Sequence, residues 1–93
     1  MKLYSLKVKS LKIYNTPFPA VDDGAAVSVV REAVKRGQES GLIANIEDLT
    51  LFQVGEFDSK EGIKKPRPKE VIDLVKIPGI IQLAKEVVEN VAT

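Results

Sequence analysis

Apolar and polar residues alternate at the start of the chain. Over residues 3–9 the even-numbered positions are apolar, and the odd-numbered positions from Ser5 onward are polar. A period of two residues predicts a β-strand with one buried face. Residues 11–14 are also β-favouring, so the strand either continues through Ser10 or turns there into a second strand. Pro17 and Pro19 then interrupt the pattern, because proline removes a ladder donor.

The next segment has apolar residues at helical spacing, namely Ala26, Val30, Ala33 and Val34. Asp22 or Asp23 suits the N-cap, and basic residues at positions 35 and 36 suit the C-terminal end of a helix dipole. The pattern predicts a helix over residues 23–37, with Gly37 as its C′ residue. Residues 38–48 are expected to form a loop.

A second strand is predicted from Leu49 to Phe57, covered on both faces at its start because both parities are apolar there. Gly55 breaks the alternation and indicates a β-bulge, which would return Phe57 to the face of Phe52 and Val54. We expect these three side chains to share one core. Residues 58–62 predict a turn with Gly62 at positive φ, and residues 63 and 64 begin a short return strand.

The C-terminal part predicts two helices. Residues 69–75 could form a short one after Pro68, and Pro78 could open a longer one. The second has an apolar stripe of Ile80, Leu83, Ala84, Val87, Val88 and Val91. This stripe is interpreted as a core-facing surface, with a dimer surface as the alternative.

These elements predict an α+β fold in a single domain over residues 1–93. We expect an antiparallel sheet of three to four strands packed by one central helix, with a C-terminal helix. Residues 1–65 would form the strand-helix-hairpin core and residues 66–93 a C-terminal helical segment. A chain of 93 residues buries only a modest core. Homodimerisation is therefore expected.

Composition removes several classes of enzyme. The chain has no cysteine and no histidine, which excludes disulfides, thiol nucleophiles, Cys- or His-based metal sites and Ser-His catalysis. The acidic groups at 22/23, 47/48 and 56/58/61 lie at a helix start or at turns, where capping explains them. We therefore expect no enzymatic activity, no cofactor and no metal. The sequence also lacks a recognisable export signal or membrane span, so we expect a soluble protein.

Charge is unevenly distributed although the formal net charge is only +1. Lysines occur before any acid at the start of the chain, and a second basic cluster follows the predicted hairpin. Such clusters with exposed aromatic rings are typical of single-stranded nucleic-acid binding. The candidate residues are Lys7, Lys9, Lys12, Tyr14, Lys64, Lys65 and Arg67. Tyr4 falls on the apolar face and is interpreted as a core residue.

Each basic cluster also has a simpler explanation. The N-terminal lysines could form a solvated strand face, and residues 64–69 could be a soluble linker. The nucleic-acid interpretation requires both clusters to lie on one surface; if they lie on opposite sides, it loses most of its support.

Several segments together resemble the small non-structural protein of gokushoviruses, which are single-stranded DNA phages of the Microviridae. They are MKLYS at the start, PF before DDGAA at the helix entry, and LTLFQVGEFD followed by a turn glycine and a proline. The resemblance spans about residues 1–70. It implies a phage protein of the host cytoplasm that is not a virion component, and it supplies no catalytic residues.

The resulting hypothesis is a non-enzymatic accessory factor that binds single-stranded DNA during phage genome replication or packaging. The alternative is a protein-interaction adaptor that recruits or modulates a replication or host protein without binding DNA. It would use the final helix or an exposed strand edge.

Overall fold

The computed structural model describes residues 1–36 and 46–85. Within them lie one long helix, one six-stranded antiparallel sheet and the start of a further helix. The strands are β1 (Lys2–Val8), β2 (Ile13–Tyr14), β3 (Phe18–Ala20), β4 (Leu49–Asp58), β5 (Gly62–Lys64) and β6 (Lys69–Asp73). The helices are α1 (Asp23–Arg36) and α2, described over residues 80–85, with 3₁₀ turns at Ile46–Asp48 and Leu74–Lys76.

Two long strands, β1 and β4, form the centre of the sheet, and each outer position is filled by two short strands. β2 and β3 both pair with β1, while β5 and β6 both pair with β4. The sheet is therefore four strands across, built from six segments. The predicted α+β class and antiparallel sheet are confirmed. The two strands that were not predicted, β3 and β6, are short segments of three and five residues that extend the two edges.

The chain turns after β1, so the second of the two alternatives for residues 11–14 is correct. β2 pairs antiparallel with the end of β1, placing Tyr14 opposite Lys7. Lys12 has a φ of 55° in this turn, a left-handed conformation uncommon for lysine. Asp48 anchors the turn, because its side chain accepts hydrogen bonds from the backbone N–H and the hydroxyl of Ser10.

Helix α1 covers the face of the sheet formed by the even-numbered residues of β1. Asp22 caps it, since its Oδ1 accepts a hydrogen bond from the Ala25 N–H at 2.8 Å. The helix buries Ala26, Val30 and Val34, as the apolar spacing predicts. The shared core also contains Tyr4, Leu6, Ala20, Leu49, Leu51, Leu74, Ile77, Ile80 and Ala84. The predicted Gly37 terminator and loop residues 38–45 lie outside the described residues.

Tyr4 is a core residue, as its strand parity predicts. Its side chain is fully buried, and its hydroxyl donates a hydrogen bond to Asp23 Oδ1 at 2.7 Å. Burial, and next this hydrogen bond, raise the pKa of Tyr4 well above its usual value, so the hydroxyl remains a donor. The bond ties the first turn of α1 to the centre of the sheet.

The predicted bulge exists, but the core expected from it is wrong. The register between β1 and β4 shifts at this point: Tyr4 lies opposite Gln53 and Leu3 opposite Gly55. The extra residue, Val54, leaves Phe52 and Phe57 on one face. That face is opposite α1, so Phe57 is half exposed and none of Phe52, Val54 and Phe57 belongs to the core cluster.

The short helix predicted for residues 69–75 is also wrong. Residues 69–73 form strand β6, which pairs with β4, and only Leu74–Lys76 form a 3₁₀ turn. Apolar periodicity in such a short segment does not distinguish a helix from a strand. The strand forms because the free edge of β4 offers backbone hydrogen bonds to this segment. In α2, Ile80 and Ala84 are buried, which supports the core interpretation there. Residues 86–93, with the rest of the stripe, lie outside the described part.

Gly55 has a specific steric role. A Cβ at this position would lie 2.9 Å from the carbonyl oxygen of Lys64, so only glycine allows β5 to approach the bulge. We expect Gly55→Ala to lower the free energy of unfolding by about 1–3 kcal/mol, as other overpacking substitutions do. Urea unfolding followed by circular dichroism measures it.

The matched control is Gly24→Ala. There the added Cβ meets only Asp22 Oδ1, at 3.5 Å, and the position is helical. Alanine should leave stability unchanged or raise it. Equal effects of the two substitutions would contradict the steric role of Gly55.

Candidate nucleic-acid interface

The side of the sheet opposite α1, here called the outer face, carries the odd-numbered residues of β1. Pairing with β4 places Ser5 opposite Phe52 and Lys7 opposite Thr50. Ser5 and Thr50 are almost fully buried there, and both are hydrogen bonded. Ser5 Oγ donates to the Asn15 carbonyl at 2.6 Å, and Thr50 Oγ1 donates to Asp73 Oδ1 at 2.7 Å. These bonds hold the flanking segments against the central strands.

Lys7 lies beside two aromatic rings on the outer face. Its Nζ is 5.3 Å from the ring centroid of Tyr14 and 5.5 Å from that of Phe52. The two rings are in edge contact, with centroids 5.6 Å apart and an interplanar angle of 86°. Both distances are within cation–π range. A cation is therefore held next to a partly exposed aromatic ring, as a stacking platform for nucleic acid requires.

A groove crosses the outer face beside Tyr14, with a volume of about 450 Å³. Its centre is formed by Leu3 and Ser5 of β1 and by Val54 of the bulge. One side comes from β2 and the segment before β3, and the other from β5 and the segment before β6. These flanking residues are Tyr14, Asn15 and Pro17 on the first side and Ile63, Lys65 and Pro68 on the second. The groove is therefore lined by Lys65 of the second basic cluster and by Tyr14, the ring that Lys7 of the first cluster contacts.

Lys9 is held by a carboxylate. Its Nζ lies 3.8 Å from Asp73 Oδ1, and Lys76 approaches the same carboxylate at 3.6 Å. The hydrogen bond from Thr50, followed by the charges of Lys9 and Lys76, lowers the pKa of Asp73 below its usual value, against the opposing effect of burial. Asp73 thus neutralises part of the charge near Lys7.

The remaining candidates are distributed unevenly. Lys64 lies opposite Glu56, and Glu56 lies opposite Lys2, an even-numbered residue of β1. Lys64 therefore belongs to the side of the sheet that faces α1. It also forms an ion pair with Glu61 at 2.8 Å. Lys12 and Arg67 are exposed in the connections that follow β1 and β5. The structure therefore joins Lys7, Tyr14 and Lys65 on one surface, adds Lys9 in a neutralised form, and separates Lys64.

Four residues of this surface do not stand out in the sequence. Phe52 is apolar in a strand covered on both faces, so its parity does not show that it pairs with Tyr14. Asn15 and Ile63 reach the groove only through the paired short strands. Asp73 could have been suspected only from the pairing of β6 with β4, because its partners are distant in sequence. Cross-strand register, and not local pattern, identifies all four.

Each of the three acidic clusters noted in the sequence contains a residue with a structural partner. Asp22 caps α1, Asp48 anchors the β1–β2 turn, and Asp58 accepts a hydrogen bond from the Lys60 N–H at 2.8 Å. Within residues 1–36 and 46–85 no group of three or more acidic side chains is arranged to hold a metal ion. Those same residues include no helix long and apolar enough to span a membrane.

Fold and site together define a small α+β protein with a cation–aromatic groove on the open face of its sheet. The family model described as Phage ORF5 protein matches residues 1–77. The chain belongs to this family and is a phage protein. Searches of curated proteins and of solved structures returned no match.

The carboxylate of Asp73 should make stability pH-dependent. Its pKa is lowered in the folded state, so its contribution is complete above the unfolded value near 3.8 and is lost as pH falls through the folded value. We expect Asp73→Asn to lower the free energy of unfolding at pH 7 by about 1.5–3 kcal/mol, the scale of a hydrogen bond to a charged group.

Urea unfolding at several pH values measures this difference. The difference in unfolding free energy between wild type and Asp73→Asn should be constant between pH 5 and 7 and shrink below pH 4. Glu32→Gln, which removes a surface partner of Arg36, is the control and should have little effect at any pH. A difference for Asp73→Asn that does not change with pH would contradict the assignment.

Proposed function

We propose that this phage protein is a non-enzymatic accessory factor that binds single-stranded DNA on its outer face. The observation that carries the proposal is the position of the Lys7 ammonium beside the Tyr14–Phe52 pair, next to a groove lined by Tyr14 and Lys65. The resemblance to the gokushovirus non-structural protein supports a role in genome replication or packaging. The protein would act in the host cytoplasm and would not be a virion component.

Binding would combine two contributions. Lysine side chains would neutralise phosphates and release counterions, which makes affinity depend strongly on salt. Tyr14, which is 39% exposed, would offer aromatic surface to a base. Lys7 and Lys65 have no ion pair with any described residue, so their charges are available. Lys9 would contribute only after leaving Asp73. Lys64, on the α1 side of the sheet and paired with Glu61, would not contribute to binding on this face.

A second candidate is supported by a different observation. Phe57 and Ile63 form a cross-strand pair on the β4–β5 hairpin, and they are 50% and 58% exposed. Exposed apolar pairs near a sheet edge are typical of protein contacts. In this alternative the protein is an adaptor for a replication or host protein, or a homodimer, and does not require DNA.

Fluorescence anisotropy with a labelled single-stranded oligonucleotide tests DNA binding. Wild-type protein should bind at low salt and weaken steeply as salt rises. The double variant Lys7→Gln/Lys65→Gln should bind more weakly, and its log–log salt slope should be shallower by about 1.4, because each lost contact on a single strand contributes about 0.7.

The control is Lys35→Gln/Lys60→Gln, which removes the same net charge from α1 and from the hairpin turn. Both positions are exposed and lie outside the groove. This variant should retain nearly wild-type affinity. Absence of binding at low salt, or equal loss in both double variants, would refute the proposal.

The second candidate makes its own prediction. If Phe57 and Ile63 mediate self-association, light scattering should find a dimer that Phe57→Lys converts to a monomer with an unchanged circular dichroism spectrum. The exposed position makes the substitution compatible with folding. A monomeric wild-type protein over a wide concentration range would rule out this homodimer.

A further inference from the structure

The groove beside Tyr14 has the composition of a nucleobase site. On the basis of the proposed function, we propose that it receives one unstacked base of the bound strand, with the adjoining phosphates near Lys7 and Lys65. The proposed ligand is therefore not any polyanion. It is a nucleic-acid strand whose bases are free to leave a stack.

The apolar part of the groove fits the faces of a base. Leu3, Val54, Ile63 and Pro68 contribute aliphatic surface, and Tyr14 adds an aromatic ring at the side. The volume of about 450 Å³ lies within the range of concave sites for small organic ligands. A site for phosphate alone would not need such a lining, because phosphate contacts are made by cations and N–H groups.

Asn15 borders the groove next to Tyr14. Its backbone is fixed, since its N–H donates to the Leu6 carbonyl at 2.8 Å and its carbonyl accepts from Ser5 Oγ at 2.6 Å. Tyr14 lies on the outer face, so strand alternation places the next side chain on the α1 side, where Asn15 also lines a cavity with Leu6 and Val30. What Asn15 offers the groove is therefore its fixed backbone.

The positions of the two lysine side chains fit a base that lies between two phosphates. Lys65 lines the groove on the β5 side, and Lys7 lies against Tyr14 on the β2 side. Two acidic residues face this arrangement from β6: Glu70 lies opposite Phe52, and Asp73 lies opposite Thr50 and is occupied by Thr50, Lys9 and Lys76. Lys65 adds one positive charge to an otherwise mainly apolar lining, and Lys7 places a second beside Tyr14, which complements a nucleotide.

The test compares two labelled single strands of equal length and charge. One carries bases throughout, and the other carries an abasic tetrahydrofuran at every internal position. Base insertion predicts that the abasic strand binds at least about five-fold more weakly at the same salt, since stacking one base contributes appreciably to affinity. Equal affinities would overturn base insertion but leave electrostatic DNA binding intact. Failure of both strands to bind would refute the proposed function itself.

Two matched variants locate the base. Ile63→Ala removes part of the groove wall, whereas Phe57→Ala truncates its cross-strand partner, which does not line the groove. Both side chains are about half exposed, so both variants should fold. Ile63→Ala should reduce the ratio of the affinity for the base-carrying oligonucleotide to that for the abasic one. Phe57→Ala should preserve this ratio. The same ratio in both variants would place the base elsewhere and overturn the inference.

Discussion

The antiparallel pairing of β1 with β4 is the constraint on which the rest of the structure depends. These two strands lie far apart in the sequence, yet they pair along the whole of β1, from Lys2 opposite Glu56 to Val8 opposite Leu49. All four short strands attach to one of them. Their register decides which side chains α1 covers and which remain on the outer face, because a shift of one residue would exchange the two faces.

The bulge at Val54 modifies this pairing at one point and affects both the fold and the site. It keeps Phe52 and Phe57 on the outer face and adds Val54 to the centre of the groove. Gly55 then lets the carbonyl of Lys64 approach the bulge, which brings β5 and Ile63 beside the groove. A backbone irregularity thus explains why a hairpin whose apolar residues predict a core contributes to an open surface.

The buried polar groups of the outer face also fit this pairing of the strands. Ser5 and Thr50 are buried beneath the flanking segments, and each donates a hydrogen bond to a group in those segments. Unpaired hydroxyls there would cost free energy, so the bonds fix Asn15 and Asp73 in place. The same contacts that stabilise the sheet edges therefore position one side of the groove and neutralise Lys9.

The sequence by itself determined the elements with strong local signals. The alternation in β1, the apolar spacing and the aspartate cap of α1, and the positive φ of Gly62 depend on neighbouring residues, and all are found in the structure. Tertiary structure alone decided that residues 69–73 form a strand, that Phe52 pairs with Tyr14, and that Lys65 but not Lys64 shares a surface with Lys7. Those outcomes depend on which strand edge is open and on the register between distant strands, and neither is encoded in a local pattern.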